Sequence, residues 1–219
     1  ARLTSRCWGC CWLVHPNIQE ARMIVLLMGP PTCGKTTQAA HIAENHGLTA
    51  LDFAQVVQAA TITPNSGAAV EAKGVLAAGE QLPEALAIEI LKERLDAGDC
   101  AKGFTLEGVP VNIEQAALLD GMLTRKGLSV DAAIYLDVQD QEWYDMFEPL
   151  LGWYLSSGKL ATVNANMYLD EVKMCVDDIL AAAAAASAPT TASMPAAAGM
   201  KIPGEGGVDG TQMSVEAGA

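Results

Sequence analysis

Eight consecutive residues, Gly29-Pro30-Pro31-Thr32-Cys33-Gly34-Lys35-Thr36, place two glycines, a lysine and a hydroxyl at the spacing G-x-x-x-x-G-K-T. This combination suits a polyphosphate, which must be wrapped by backbone N–H groups. The loop therefore has to turn tightly and present a helix N-terminus to the anion. Gly29 and Gly34 supply the turns. The Lys35 ammonium is placed for the β- and γ-phosphates, and the Thr36 hydroxyl for a Mg²⁺ ion carried with them. Gly29, Pro30, Cys33, Gly34, Lys35, Thr36 and Thr37 are thus the candidate nucleotide-binding residues.

The elements that must hold this loop are legible on either side. Met23 to Met28 is a continuous apolar run, as expected of a strand buried on both faces, and the residues from Lys35 to Asn45 read as a helix ending near Gly47. Downstream, strands at Thr49–Asp52, Phe104–Glu107, Ala132–Val138 and Leu160–Val163 alternate with helices. The helices are expected over Phe53–Ala60, Ala68–Ala78, from Pro83 to near Gly98, Ile113–Lys126, Gln141–Ser156 and Tyr168–Ala186. Such alternation predicts an α/β three-layer sandwich of the phosphate-loop type, a parallel sheet of about five strands with helices on both faces. The carboxyl ends of the strands would then gather the loop, Asp52, Glu107 and Asp137 on one edge.

Composition narrows the class. The chain has 219 residues, a net charge of -13 and 51% hydrophobic residues, which fits one α/β domain with extensions. The acidity argues against a nucleic-acid partner, because phosphate backbones attract lysine and arginine patches. The longest apolar stretches fall far below the roughly 20 residues that span a bilayer. The six cysteines lack the spacing of a secreted disulfide scaffold, so a reducing intracellular compartment such as cytoplasm is expected. A start at Ala1 is expected of a processed chain or of a piece of a longer one, and the first 20 residues lack a recognisable signal peptide. Cys7, Cys10, Cys11 and His15 could ligate zinc but have no second pair, and an apolar extension with Trp8 and Trp12 is the simpler reading. Three segments result: an extension over 1–21, the phosphate-loop domain over 22–186, and a low-complexity, flexible tail over 187–219.

The order of these segments resembles the adenylate kinase family of nucleoside monophosphate kinases. Gly29 to Gln38 is similar to the family's phosphate loop, and Glu71 to Gly74 with Gly79 to Glu84 to its monophosphate-binding region, taken as residues 53–82. Phe104 to Pro110 resembles its acidic-Gly-Phe-Pro-Arg signature, and Gly158 to Asn166 with Asp170 to Val172 its last strand and helix. The resemblance implies reversible phosphoryl transfer from MgATP to a nucleoside monophosphate. Lys35 would act on the β/γ-phosphates, Thr36 on the metal, Glu107 would hold waters around Mg²⁺, and Gln115 would read the acceptor's adenine.

The family's arginines are replaced. Gln58 stands where an arginine clasps the acceptor phosphate, Phe53 at a nearby threonine position, and Val111 at the signature's arginine; beyond Arg125 there is none. Phosphoryl transfer leans on such cations. Where the family inserts a lid, between the helix after its fourth strand and the next helix, Gln141 to Pro149 runs almost straight on, so the lid is read as deleted. The expectation is a catalytically impaired nucleotide-binding domain serving as a structural or regulatory module, with protein partners in a larger assembly. The alternative is an active nucleoside monophosphate kinase drawing cations from Arg22, Lys73, Arg94, Arg125 or a partner. A slow nucleoside triphosphatase is a third reading, without an obvious water-positioning glutamine. His41 and His46 read as exposed polar positions, Asp137 as a metal helper or a turn carboxylate, and Cys33 as a thiol whose ionisation the helix terminus favours.

Overall fold

The computed structural model describes residues 22–187. The cysteine-rich extension and the tail lie outside them. Five strands, β1 (Met23–Met28), β2 (Thr49–Asp52), β3 (Gly103–Glu107), β4 (Ala132–Asp137) and β5 (Leu160–Asn164), form one sheet in the order β2-β3-β1-β4-β5. Every pairing is parallel. Seven helices complete the described chain: α1 (Lys35–His46), α2 (Phe53–Ile62), α3 (Gly67–Ala77), α4 (Glu84–Leu95), α5 (Ile113–Arg125), α6 (Gln141–Ser156) and α7 (Leu169–Ser187).

The central strand shows why the sheet needs cover on both faces. Successive side chains of a strand point to opposite sides. In β1, Ile24, Leu26 and Met28 join the cluster under α4, α5 and α6, whereas Val25 and Leu27 join the one under α1 and α7. Val25 and Leu26 are wholly buried, and burial of such a side chain contributes about 1.5–3 kcal/mol. β1 thereby becomes the least movable platform on which a loop could be mounted. A smaller third cluster, centred on Val56, Ala72, Leu86 and Ile90, packs α2 and α3 against α4. α2 and α3 lie within residues 53–82.

Local chemistry sets the helix starts. Asp52 accepts the Ala54 N–H, Ser66 that of Ala69, Asn112 that of Gln115, and Asp140 those of Glu142 and Trp143, each satisfying donors that a helix end leaves open. Ser66 in that role starts α3 at Gly67, one residue before the sequence pattern suggests. α2 runs two residues past Ala60, to Ile62. α6 continues through Pro149, which gives up one backbone N–H; the buried faces of Phe147, Leu150, Leu151 and Tyr154 hold it in place. β4 reaches α6 through residues 138–140 alone, with no segment inserted between them. Among the described residues, no helix is long and apolar enough to cross a membrane.

Candidate functional site

The loop between β1 and α1 is held in conformations that ordinary side chains avoid. Gly29 has φ 141°, Thr32 φ 64° and Gly34 φ 94°. A Cβ on Gly29 would lie 2.7 Å from the Leu136 carbonyl oxygen and 2.9 Å from Cys33 Sγ. The loop therefore presses against β4 from above, and glycine is what permits the approach. At its far end α1 begins on Gly34 with no side-chain cap and no acidic residue in its first turn. The first N–H groups of that helix have no intrahelical acceptor, and the positive end of its dipole is uncompensated. A cavity of about 240 Å³ lies there, lined by Thr32, Gly34, Lys35, Thr36 and Thr37.

Lys35 folds back over the loop. Its Nζ donates to the carbonyl oxygens of Gly29 at 3.0 Å and Pro30 at 2.6 Å and stands 3.8 Å from Cys33 Sγ. These carbonyls hold the ammonium at the mouth of the loop. Next to it, the Thr36 hydroxyl donates to both oxygens of Glu107, at 3.0 and 3.2 Å. Glu107 ends β3 and is buried, and its register partner on β2 is Asp52. Burial pushes the Glu107 carboxyl up, the Thr36 hydrogen bond opposes that, and Asp52 adds to the rise. A buried carboxylate beside a hydroxyl forms a hard-oxygen pair of the kind Mg²⁺ selects when phosphate oxygens and water complete its shell. No cluster of three or more His, Cys, Asp or Glu side chains that could hold a metal occurs among the described residues.

Gln115 and Gln58 lie apart from this pair. Gln115 is buried in the first turn of α5, where its Oε1 accepts the Val111 N–H at 3.0 Å and its Nε2 donates to Glu84. Asn112 Nδ2 donates to the other Glu84 oxygen at 2.8 Å. The Glu84 clamp joins residues about 30 positions apart, and nothing in the local sequence signals it. Gln58 is exposed on α2. Val111, in the turn after β3, and Ile113, the first residue of α5, are 48% and 42% exposed.

None of the arginines among the described residues lines the loop cavity, although Arg94 lines another with Asp52 and Gln55. Arg22 immediately precedes β1, Arg125 closes α5, and Arg94 engages Asp99 with both terminal nitrogens, at 2.5 and 2.6 Å, before β3 begins. Lys73 is exposed on α3.

Two expectations, on Cys33 and His41, differ from what the structure shows. Cys33 is not primed as a thiolate: burial raises its thiol, outweighing the nearby Lys35 ammonium. His41 is half-buried rather than exposed, whereas His46 is exposed as expected; both meet a carboxylate. His41 Nε2 is 3.0 Å and His46 Nε2 2.8 Å from the Asp177 carboxylate on α7, and Asn45 Nδ2 lies 3.0 Å from His41 Nδ1. Burial works against ionisation of Asp177, but hydrogen bonds from His46 and His41 outweigh it and hold the carboxyl below its ordinary range. Asp137 is a turn carboxylate, accepting the Gln139 N–H at 2.7 Å.

A family model described as adenylate kinase matches residues 27–182. The adenylate kinase of Mesorhizobium japonicum is 33% identical across 75% of this chain and 100% of its own length. The adenylate kinase of Sinorhizobium medicae is 31% identical, over 73% of this chain and 100% of its own length. That of Parvibaculum lavamentivorans is 30% identical, over 72% and 92%.

Proposed function

The chain belongs to the adenylate kinase family, and from that premise we propose that it binds MgATP through Gly29 to Thr37 but transfers phosphoryl groups poorly, acting as a structural or regulatory nucleotide-binding module. The observation that carries this reading is the contrast between a fully formed loop and the arginines. Lys35, Thr36 and Glu107 stand within hydrogen-bonding distance of their partners at the carboxyl edge. Arg22 and Arg125 sit at the other ends of their elements, and Arg94 is engaged by Asp99.

In this reading the backbone N–H groups of the loop and of the first turn of α1 bind the phosphates. Lys35 exchanges its carbonyl partners for phosphate oxygens, a charge-assisted and therefore stronger contact. Thr36 and, through water, Glu107 would hold Mg²⁺, which supplies charge neutralisation on the phosphate oxygens. Once the metal is present, Glu107 is favoured as the carboxylate. On the acceptor side, Gln58 and Val111 offer no cation to a second phosphate, and the amide of Gln115 is already shared between Val111 and Glu84. Loss of one transition-state arginine costs on the order of 10³ to 10⁵ in rate. α6 runs unbroken from Gln141 to Ser156, so among the described residues no lid stands over the site to exclude water, which weakens the remaining electrostatic contacts.

The other reading, an active kinase of MgATP and AMP or another monophosphate, draws support from the retained Lys35, Thr36, Glu107 and Gln115. A calorimetric titration with MgATP, repeated on Lys35→Ala, tests the binding half of the proposal. Saturable binding lost in the variant is expected, and binding that survives the substitution would remove the loop from the account.

A further inference from the structure

A second cavity, of about 270 Å³, opens at the opposite, amino edge of the sheet, where β1 and β3 begin and where α4 and α5 end. The six residues of β1 separate it from the phosphate loop, roughly 20 Å at the rise of a strand. Its floor is apolar: Ile24 is 1% and Phe104 2% exposed, and Leu95 and Leu128 complete the walls. Its rim is charged. Lys126 and Asp96, both on the rim, are bonded to one another and largely cancel. Arg22 also lines the cavity and is exposed, and no hydrogen bond or ion pair joins it to another described residue.

We propose that this cavity binds a small organic monoanion, a carboxylate on a single-ring or short aliphatic body, with Arg22 holding the carboxylate. Size limits the ligand, because the volume falls just below the range of about 300–1,000 Å³ typical of drug-sized ligands. Charge limits it further. The guanidinium is a planar fork that matches a carboxylate with two parallel hydrogen bonds. The carbonyl-rich C-termini of α4 and α5 bring negative potential to the same cavity. A dianionic phosphate or a nucleotide is thereby disfavoured, and a single negative charge is drawn to the Arg22 side. The apolar floor then accounts for the body of the ligand, which loses its contact with water on entering.

The test is a titration of the full chain with phenylacetate and hexanoate, and with phenylacetamide as the uncharged match, followed by backbone amide shifts. The acids should saturate, with shifts confined to the walls of this cavity, and should bind about tenfold tighter than the amide. Arg22→Gln should bring phenylacetate down to the level of phenylacetamide, while Arg22→Lys keeps part of the preference. Leu128→Trp should block the cavity. MgATP binding measured on the same samples should not change. Absence of saturable binding by either acid, equal affinity for acid and amide, or unchanged binding in Arg22→Gln would overturn the proposal. Arg22 is exposed, so its variants report on binding even if Leu128→Trp fails to fold.

Discussion

Replacing each loop glycine by alanine separates the mechanical role of the loop from its chemical one. At Gly29 the added methyl meets both a backbone φ of 141° and the Leu136 carbonyl oxygen at 2.7 Å. At Gly34 φ is 94° and nothing lies within 4 Å of the added carbon. Holding a non-glycine residue in such regions costs on the order of 1–3 kcal/mol. Overpacking against a backbone atom that cannot move without loosening β4 adds about 1–3 kcal/mol more. Gly29→Ala should therefore lose about 2–6 kcal/mol and Gly34→Ala about 1–3 kcal/mol. The difference of about 1–3 kcal/mol corresponds, for a domain of this size, to roughly 2–12 °C in melting temperature. Nucleotide affinity should run the other way relative to stability, because the Gly34 methyl enters the open space at the mouth of α1. Thermal and urea unfolding followed by circular dichroism, with MgATP titration of each variant, measure both effects. Equal losses of stability in the two variants would refute the claim that the loop is braced on β4.

Glu107→Gln should raise the melting temperature without ligand at neutral pH while weakening MgATP binding. Its carboxyl is raised by burial, so ionisation costs stability as pH rises through the ordinary glutamate range, and the gain from the substitution should fade below about pH 4. Arg94→Met should cost less than about 1 kcal/mol, since the partner carboxylate is well exposed. Asp99 is held down to about 2 by the Arg94 hydrogen bonds. Their contribution is thus present above the ordinary aspartate value and lost as pH falls toward 2, where melting temperatures of the two proteins should converge. Tyr154 is buried with no partner for its hydroxyl among the described residues. Tyr154→Phe should consequently leave stability unchanged or raise it by about 1 kcal/mol in urea unfolding, and a loss above 1 kcal/mol would mean that the hydroxyl has a partner.

The sheet and its loop were legible because local signals there agree with the tertiary demand. The unbroken apolar run of β1 needs both faces covered, and glycines stand where φ is positive. Glu107 could be placed on the carboxyl edge from its position at a strand end alone. The strand order was not legible, since β1 gains β3 on one side and β4 on the other through crossovers that no local pattern encodes. The same holds for the knot of His41, His46 and Asp177, whose partners lie more than 130 positions apart, and for the clamp of Glu84 on Gln115. Cys33 was misread for a different reason. The helix terminus and Lys35 do favour its thiolate, but half-burial against Gly29 and the cluster under α1 and α7 outweighs them.

AMP-dependent formation of ADP from MgATP tests most directly whether a loop that binds nucleotide at a site poor in arginine also transfers phosphoryl groups. Turnover near background in a protein that binds MgATP is the predicted result. Turnover in the ordinary enzymatic range of about 1–10³ s⁻¹, abolished by Lys35→Ala, would contradict it.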